Sequence, residues 1–183
     1  MTHKRALLVA TFAFFAACSD SGPGGSSGTV SFDYTGVISG NFNASGSMPL
    51  FMNTDRSWAV GIRDDTQGAL AIAGILPSTS PKYHFATISI PRLTPGTETI
   101  DVANCTSNCA ALIVAFGNDD TAGSTDYFCG LETGTVVISS ITEGRATGTF
   151  SGTGSCSDSV GTQTQFAITN GTFNVPVRSG SGL

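Results

Sequence analysis

The stretch Gly134-Thr-Val-Val-Ile-Ser-Ser-Ile-Thr-Glu-Gly-Arg-Ala-Thr-Gly-Thr-Phe-Ser151 decides the fold class. Val136–Ser140 and Ala146–Ser151 are short runs rich in β-branched and hydroxyl side chains, which suit a pleated, half-buried surface better than a helix. Between them, Ile141–Arg145 contains Glu143-Gly144, a place for a turn. The two runs predict the arms of a β-hairpin. With the turn centred near residue 142 or 143, opposed residue numbers sum to about 285 or 286. Cys129 and Cys156 sum to 285, so the hairpin, extended outward, places them opposite or within one position of opposite.

The rest of the chain repeats this pattern. Val30, Phe32 and Tyr34 alternate with Ser31, Asp33 and Thr35, and a second strand through Ile38, Gly40, Phe42 and Ala44 follows a turn near Gly36. Trp58, Val60 and Ile62 mark another strand, which ends at Asp64-Asp65. Ala69–Leu76 and Ala110–Phe116 are apolar on both parities, which predicts central strands covered on both faces. Lys82–Ile90, Glu98–Val102 and Thr162–Thr169 supply further strands. Asn170-Gly171 separates Phe166 and Ile168 from Phe173 and Val175, and the apolar parity switches across it. A two-residue hairpin and a bulge in one long strand both account for that switch. Turn signals recur at roughly the 8–12-residue spacing of sandwiches and barrels. The expected fold is all-β: an antiparallel β-sandwich, Ig-like or related, with a partly closed β-barrel as the alternative.

Composition excludes other classes. The 183 residues carry 8 Lys+Arg, 13 Asp+Glu and 23 Gly, and only 11% are charged. Ordinary soluble chains average about 25% charged residues. Strong helix formers are scarce, which argues against a helical bundle. A formal net charge of −5 argues against a nucleic-acid partner.

The first residues read as an address. Lys4 and Arg5 precede an apolar run from Ala6 to Ala16, too short to span a bilayer, which takes roughly 20 residues. Phe15-Ala16-Ala17-Cys18 resembles a bacterial lipobox, with Phe15 where Leu is usual. That resemblance implies a lipoprotein signal peptide over 1–17, cleavage before Cys18, and acylation (palmitate among the chains) of its thiol. Ser19 after the cysteine resembles the sorting pattern for the outer membrane, facing the periplasm or the cell surface. Ser19 to Gly28 is polar and Gly/Ser-rich, a flexible tether with nothing to bury. The expected organisation is therefore 1–17 signal, 18–28 acylated cysteine and tether, and 29–183 a single β domain. Losing Lys4 and Arg5 leaves 6 basic against 13 acidic residues.

With Cys18 assigned to lipid, Cys105, Cys109, Cys129 and Cys156 remain. An even number in an exported domain reads as two disulfides. The hairpin register favours Cys129 with Cys156, leaving Cys105 and Cys109 to close a small loop. The competing reading is a four-cysteine zinc site, but the spacing lacks paired C-x2-C knuckles. No metal or other cofactor is expected.

A faint repeat links Gly28-Thr29-Val30 through Gly46-Ser47 with Gly134-Thr135-Val136 through Gly154-Ser155. Shared strand composition explains it more simply than a duplicated hairpin. The segments Gly134–Ser140, Gly144–Ser151, Ile168–Pro176 and Ile88–Thr97 together resemble a broad group of bacterial lipoproteins built around a β-rich domain of unknown function. The resemblance implies a lipid-anchored, sandwich-like domain and carries over no catalytic residue.

Catalytic motifs are missing: no H-E-x-x-H, P-loop, G-x-S-x-G or S-x-x-K occurs. His84, on the parity of Ala86, Ile88 and Ile90, reads as a packed strand histidine. Asp64-Asp65 and Asn118-Asp119-Asp120, with Asp126 nearby, read as solvated turns rather than a calcium loop. Trp58, Tyr34 and Tyr83 could form a sugar platform, but Trp58 shares its face with Val60 and Ile62, which favours packing. The expected function is a non-enzymatic binding or structural module on a membrane, partnered by an envelope protein or glycan. A carrier of a small apolar ligand in a barrel-like cavity is the alternative, and an envelope hydrolase is less favoured.

Overall fold

The computed structural model describes residues 27–49, 55–77, 83–117 and 126–180. They form ten strands: β1 Gly28–Gly36, β2 Gly40–Gly46, β3 Trp58–Asp64, β4 Ala69–Pro77, β5 Tyr83–Ile90, β6 Gly96–Asp101, β7 Ala111–Phe116, β8 Tyr127–Ile141, β9 Arg145–Ser157 and β10 Gln163–Ser179. The chain is all-β, as its alternating pattern predicts.

Two layers face each other. One runs β2-β1-β10-β9-β8-β6 and the other β3-β4-β5-β7. Two long strands join them. β8 pairs with β7 through Tyr127–Gly130 and with β6 through Thr133–Ile138. β10 pairs with β1 through Phe166–Asn174, then runs parallel to β3 through Val177–Ser179. Every other pairing is antiparallel. The fold is thus a sandwich whose smaller layer is hydrogen-bonded along both edges to the larger one. Hydrogen bonding passes without interruption through β10, β3, β4, β5, β7, β8, β9 and back to β10. Corners made by strands that change layers account for features of both expected architectures.

Phe32, Phe42, Leu70, Ile72, Ile88, Ile100, Leu112, Ile138, Phe166 and Phe173 fill the space between layers. Phe32 stacks on Phe42 with ring centroids 4.8 Å apart, and Phe150 meets Phe32 edge-on at 5.7 Å. Phe173 lies opposite Gly148, where a Cβ would come 2.3 Å from Phe173 Cζ. Glycine there leaves the room that the ring occupies.

Bulges set which side chains point inward. β10 is one strand, not a hairpin, and it carries an extra residue, between Ile168 and Gly171 relative to β9 and between Thr169 and Thr172 relative to β1. Asn170 takes the left-handed conformation, with φ 53°. The bulge moves the buried parity from Phe166 and Ile168 to Gly171, Phe173 and Val175. β8 carries two further irregularities, at Leu131/Thr133 and Ile138/Ser140.

The strands expected to be covered on both faces are covered fully on only one. In β7, Leu112, Val114 and Phe116 are buried, while Ala111, Ile113 and Ala115 are half-buried. In β4, Leu70 and Ile72 face the core, with Ala69, Ala71 and Ala73 half-buried on the other side. β4 is interior to its layer, and β7, the last strand of that layer, is paired on both sides, with β5 and with β8, but no second layer of described strands lies over their outer face. The two hairpins of the faint repeat are also placed differently: β1–β2 offers its first arm to β10, and β8–β9 offers its second.

Candidate functional site

Cys18 and the Asn118–Asp120 group lie outside the described residues. The structure does show where the segment after Cys18 joins the domain. Gly28 opens β1 beside the start of β3 and the end of β10; a Cβ there would come 2.3 Å from the Ala59 carbonyl oxygen and 2.7 Å from Pro176 Cδ. Arg145 fixes this entry: its Nη2 donates to the Ser27 carbonyl at 3.3 Å, and its Nε donates to Asn174 Oδ1. The chain therefore leaves the six-strand layer at the corner where β3 takes over from β1.

Both expected disulfides are present. Cys129 and Cys156 are direct cross-strand partners, fully buried, with Cα atoms 3.9 Å apart. Cys105 and Cys109 close an exposed loop after β6, with Cα atoms 5.9 Å apart. These thiols are consumed in bonds, which corrects the zinc alternative.

His84 points inward from β5, half-buried, with its ring 5.7 Å from Phe116. Phe116 also packs against Tyr34 at 4.6 Å and Phe166 at 6.1 Å. Burial among these rings pushes the Tyr34 phenol up from its ordinary value. The sequence pattern placed His84 correctly on its strand, while the tertiary fold puts it against aromatic rings.

Trp58 does not join Tyr34. It is 3% exposed and packs with Val60 and Ile75 on the outer side of the four-strand layer, with Met48, Ala73 and Phe85 partly buried against them. Packing of Trp58 is what its shared face with Val60 and Ile62 predicts; Tyr34 points into the core and Trp58 away from it, so these two do not form a sugar platform, and the Tyr83 side chain lies outside the described residues. Asp64 serves its own turn, accepting from the backbone N–H groups of Thr66 and Gln67, and Asp65 pairs with Arg63.

The outer face of the six-strand layer is polar but nearly uncharged at its centre. Cross-strand partners there include Asn43, Ser31, Thr172 and Thr149 in one row, and Ser45, Thr29, Asn174 and Thr147 in the next. Hydroxyls meet directly at Thr133–Thr153 (3.0 Å) and Ser140–Thr147 (2.8 Å). A shallow depression of about 410 Å³ lies here, lined by Thr135, Thr149, Phe150, Ser151, Asn170, Gly171 and Thr172. Beside it, Asp33 accepts from Asn170 Nδ2 at 2.9 Å and Asn41 Nδ2 at 3.0 Å. These bonds, Asn170's foremost, hold the Asp33 carboxyl below its ordinary value. Such a face offers hydrogen bonds without a strong field. Sequence reading did not find it, although the repeated Thr, Ser and Asn at solvent-facing parity carried the signal.

A scan against protein-family models and searches of curated proteins and of solved structures each return no match.

Proposed function

We propose that the protein is a lipid-anchored module of a bacterial cell envelope, exported, acylated on Cys18 and held at the outer membrane. It acts by binding or by building structure, without catalysis, and its partner is an envelope protein or glycan. The observation that supports this reading is the position of the domain boundary. The sandwich begins at Gly28, directly after the polar Ser19–Ser27 segment that follows the lipobox-like Phe15–Cys18. A tether of that composition and a folded domain beginning at its end are what an acylated N-terminus requires. Two disulfides suit the oxidising compartment such a protein enters.

The test is metabolic labelling with radioactive palmitate. The parent chain takes up label and Cys18→Ala does not. Equal labelling of the variant, or no labelling of the parent, overturns the reading.

A further inference from the structure

The depression on the outer face of the six-strand layer differs from the surface around it in what its hydroxyls do. Beside it, hydroxyls bond to one another or to a carboxylate: Thr133 with Thr153, Ser140 with Thr147, Ser155 with Glu132. Thr135, Thr149, Ser151 and Thr172 line the depression and are exposed, and their hydroxyls bond to no other group among the described residues. Register brings them together. Thr172 of β10 faces Thr149 of β9, and Ser151 of β9 faces Thr135 of β8. Four uncommitted hydroxyls thus come from three strands, across roughly 10 Å. The β10 bulge adds Asn170 to the lining. Its Nδ2 donates to Asp33, which leaves Oδ1 as an acceptor. Asp33 is itself engaged at both oxygens, Oδ2 by Asn170 and Oδ1 by Asn41.

We infer that this depression binds a neutral glycan. The inference rests on the proposed function, which leaves the partner as an envelope protein or glycan, and names the site and the chemistry. A hydroxyl both donates and accepts, so an array of Thr and Ser side chains complements a ligand made largely of hydroxyls. The hydroxyls of one sugar ring lie closer together than these four, so contact with all of them requires an oligomer. The charge pattern fits the same ligand. No charged side chain lines the depression, so it offers nothing to a phosphate or an anionic polymer. A cationic partner meets only Asp33, whose oxygens are already bonded. An apolar partner meets no exposed apolar side chain, since Phe150 is 3% exposed. An extended peptide that adds to a sheet needs a free strand edge. Here β9 lies between β10 and β8, and β10 between β9 and β1, so the depression has none. A second copy would bring an interface centre richer in apolar area. The row Asn43, Ser31, Thr172, Thr149, Val137 and Thr97 contains one apolar member.

The test titrates the full chain with cellotetraose and with tetra-N-acetylchitotetraose, two neutral oligomers that differ in the acetamido group. Binding of either supports the site, and the preferred one identifies the source: an amino-sugar strand of the cell wall, or a polysaccharide carrying hydroxyls alone. Thr149→Val with Thr172→Val removes two hydroxyls and keeps the β-branched shape that suits a strand. This pair is expected to weaken binding about tenfold, and Ser151→Ala alone about threefold. Thr29→Val, on the same layer but outside the depression, leaves binding unchanged. Raising salt from about 0.05 to 0.5 M also leaves it unchanged, because no charge pair is being screened. Three results overturn the inference: no binding of either oligomer, binding that neither T149V/T172V nor S151A weakens, or binding of dextran sulfate in place of both. Self-association at rising protein concentration, removed by T149V/T172V, overturns it too and assigns the face to a second copy. Palmitate labelling reads the anchor separately. A labelled chain that binds neither oligomer ends this inference alone, and an unlabelled chain that binds one ends the anchoring alone.

Discussion

Asn170 and Asp33 are 137 residues apart in sequence, and the side-chain amide of Asn170 donates to Asp33 Oδ2 at 2.9 Å. The contact follows from the bulge in β10. One extra residue between Ile168 and Gly171, with Asn170 at φ 53°, shifts the buried parity of the strand's second half. Asparagine tolerates that backbone conformation better than most residues because its short polar side chain can bond locally. Here the amide reaches across to β1, where Asp33 sits beside the matching irregularity.

Asp33 makes stability acid-sensitive. Its folded pKa lies below the ordinary value of 3.8, mainly through the bond from Asn170 and then that from Asn41. The unfolded chain therefore takes up the proton more readily. The stabilisation is complete above the ordinary value and is lost as pH falls through the folded value. Urea midpoints measured from pH 7 to pH 2 should fall less steeply for Asp33→Asn than for the parent. Parallel curves would show that the contact contributes nothing.

The buried disulfide outweighs the exposed one. Cys129 and Cys156 enclose a loop with a sequence separation of 27, against 4 for Cys105 and Cys109. Loop-closure entropy gives about 3.5 kcal/mol for the first and about 2 kcal/mol for the second. Replacing each pair with alanine and measuring denaturant unfolding should reproduce that order. A larger loss from the exposed pair contradicts it.

Gly148 cannot carry a side chain without moving Phe173. A Cβ at 148 would lie 2.0 Å from the Val137 carbonyl oxygen and 2.3 Å from Phe173 Cζ. Gly148→Ala is expected to destabilise by about 1–3 kcal/mol, the usual range for overpacking. Gly144→Ala, in the neighbouring turn with no atom within 4 Å of the new Cβ, should be close to neutral. Equal midpoints for the two variants would rule out the steric account.

Phe32 anchors the aromatic centre, stacked on Phe42 and met edge-on by Phe150. Its removal as Phe32→Ala opens a cavity between the layers, with a cost of about 3–5 kcal/mol. Calorimetry checks this. A loss below 1 kcal/mol, on the order of an exposed substitution, would place Phe32 outside the cooperative core.

The hairpin at 134–151 shows how far local pattern reaches. Sequence arithmetic put Cys129 opposite Cys156 by assuming an unbroken register. The structure gives the same partners by another route. Ile141 faces Ala146, a sum of 287; Val136 faces Phe150, at 286; Cys129 faces Cys156, at 285. The turn is centred half a residue beyond 143, and two irregularities in β8 bring the register back. For Trp58, alternation gave the correct strand and the correct burial, yet it could not say which side of the layer was buried. For β4 and β7, runs apolar on both parities resembled strands covered twice. The described fold covers one face fully and leaves Ala69, Ala71 and Ala73 of β4 and Ala111, Ile113 and Ala115 of β7 half-buried on the other.

The sequence alone determined the secondary structure, because period-two alternation and turn residues act over a few neighbouring positions. It also determined the number of cysteines to be paired and the N-terminal pattern from which anchoring is proposed. Only the tertiary structure decided which strands meet. β10 reaches β1 and β3, over separations that no local pattern encodes. Choosing among such pairings depends on how the two layers bury Phe32, Phe150, Phe166 and Phe173 together. A one-residue bulge is enough to redirect every side chain that follows it, and its position is set by that packing rather than by the residues beside it.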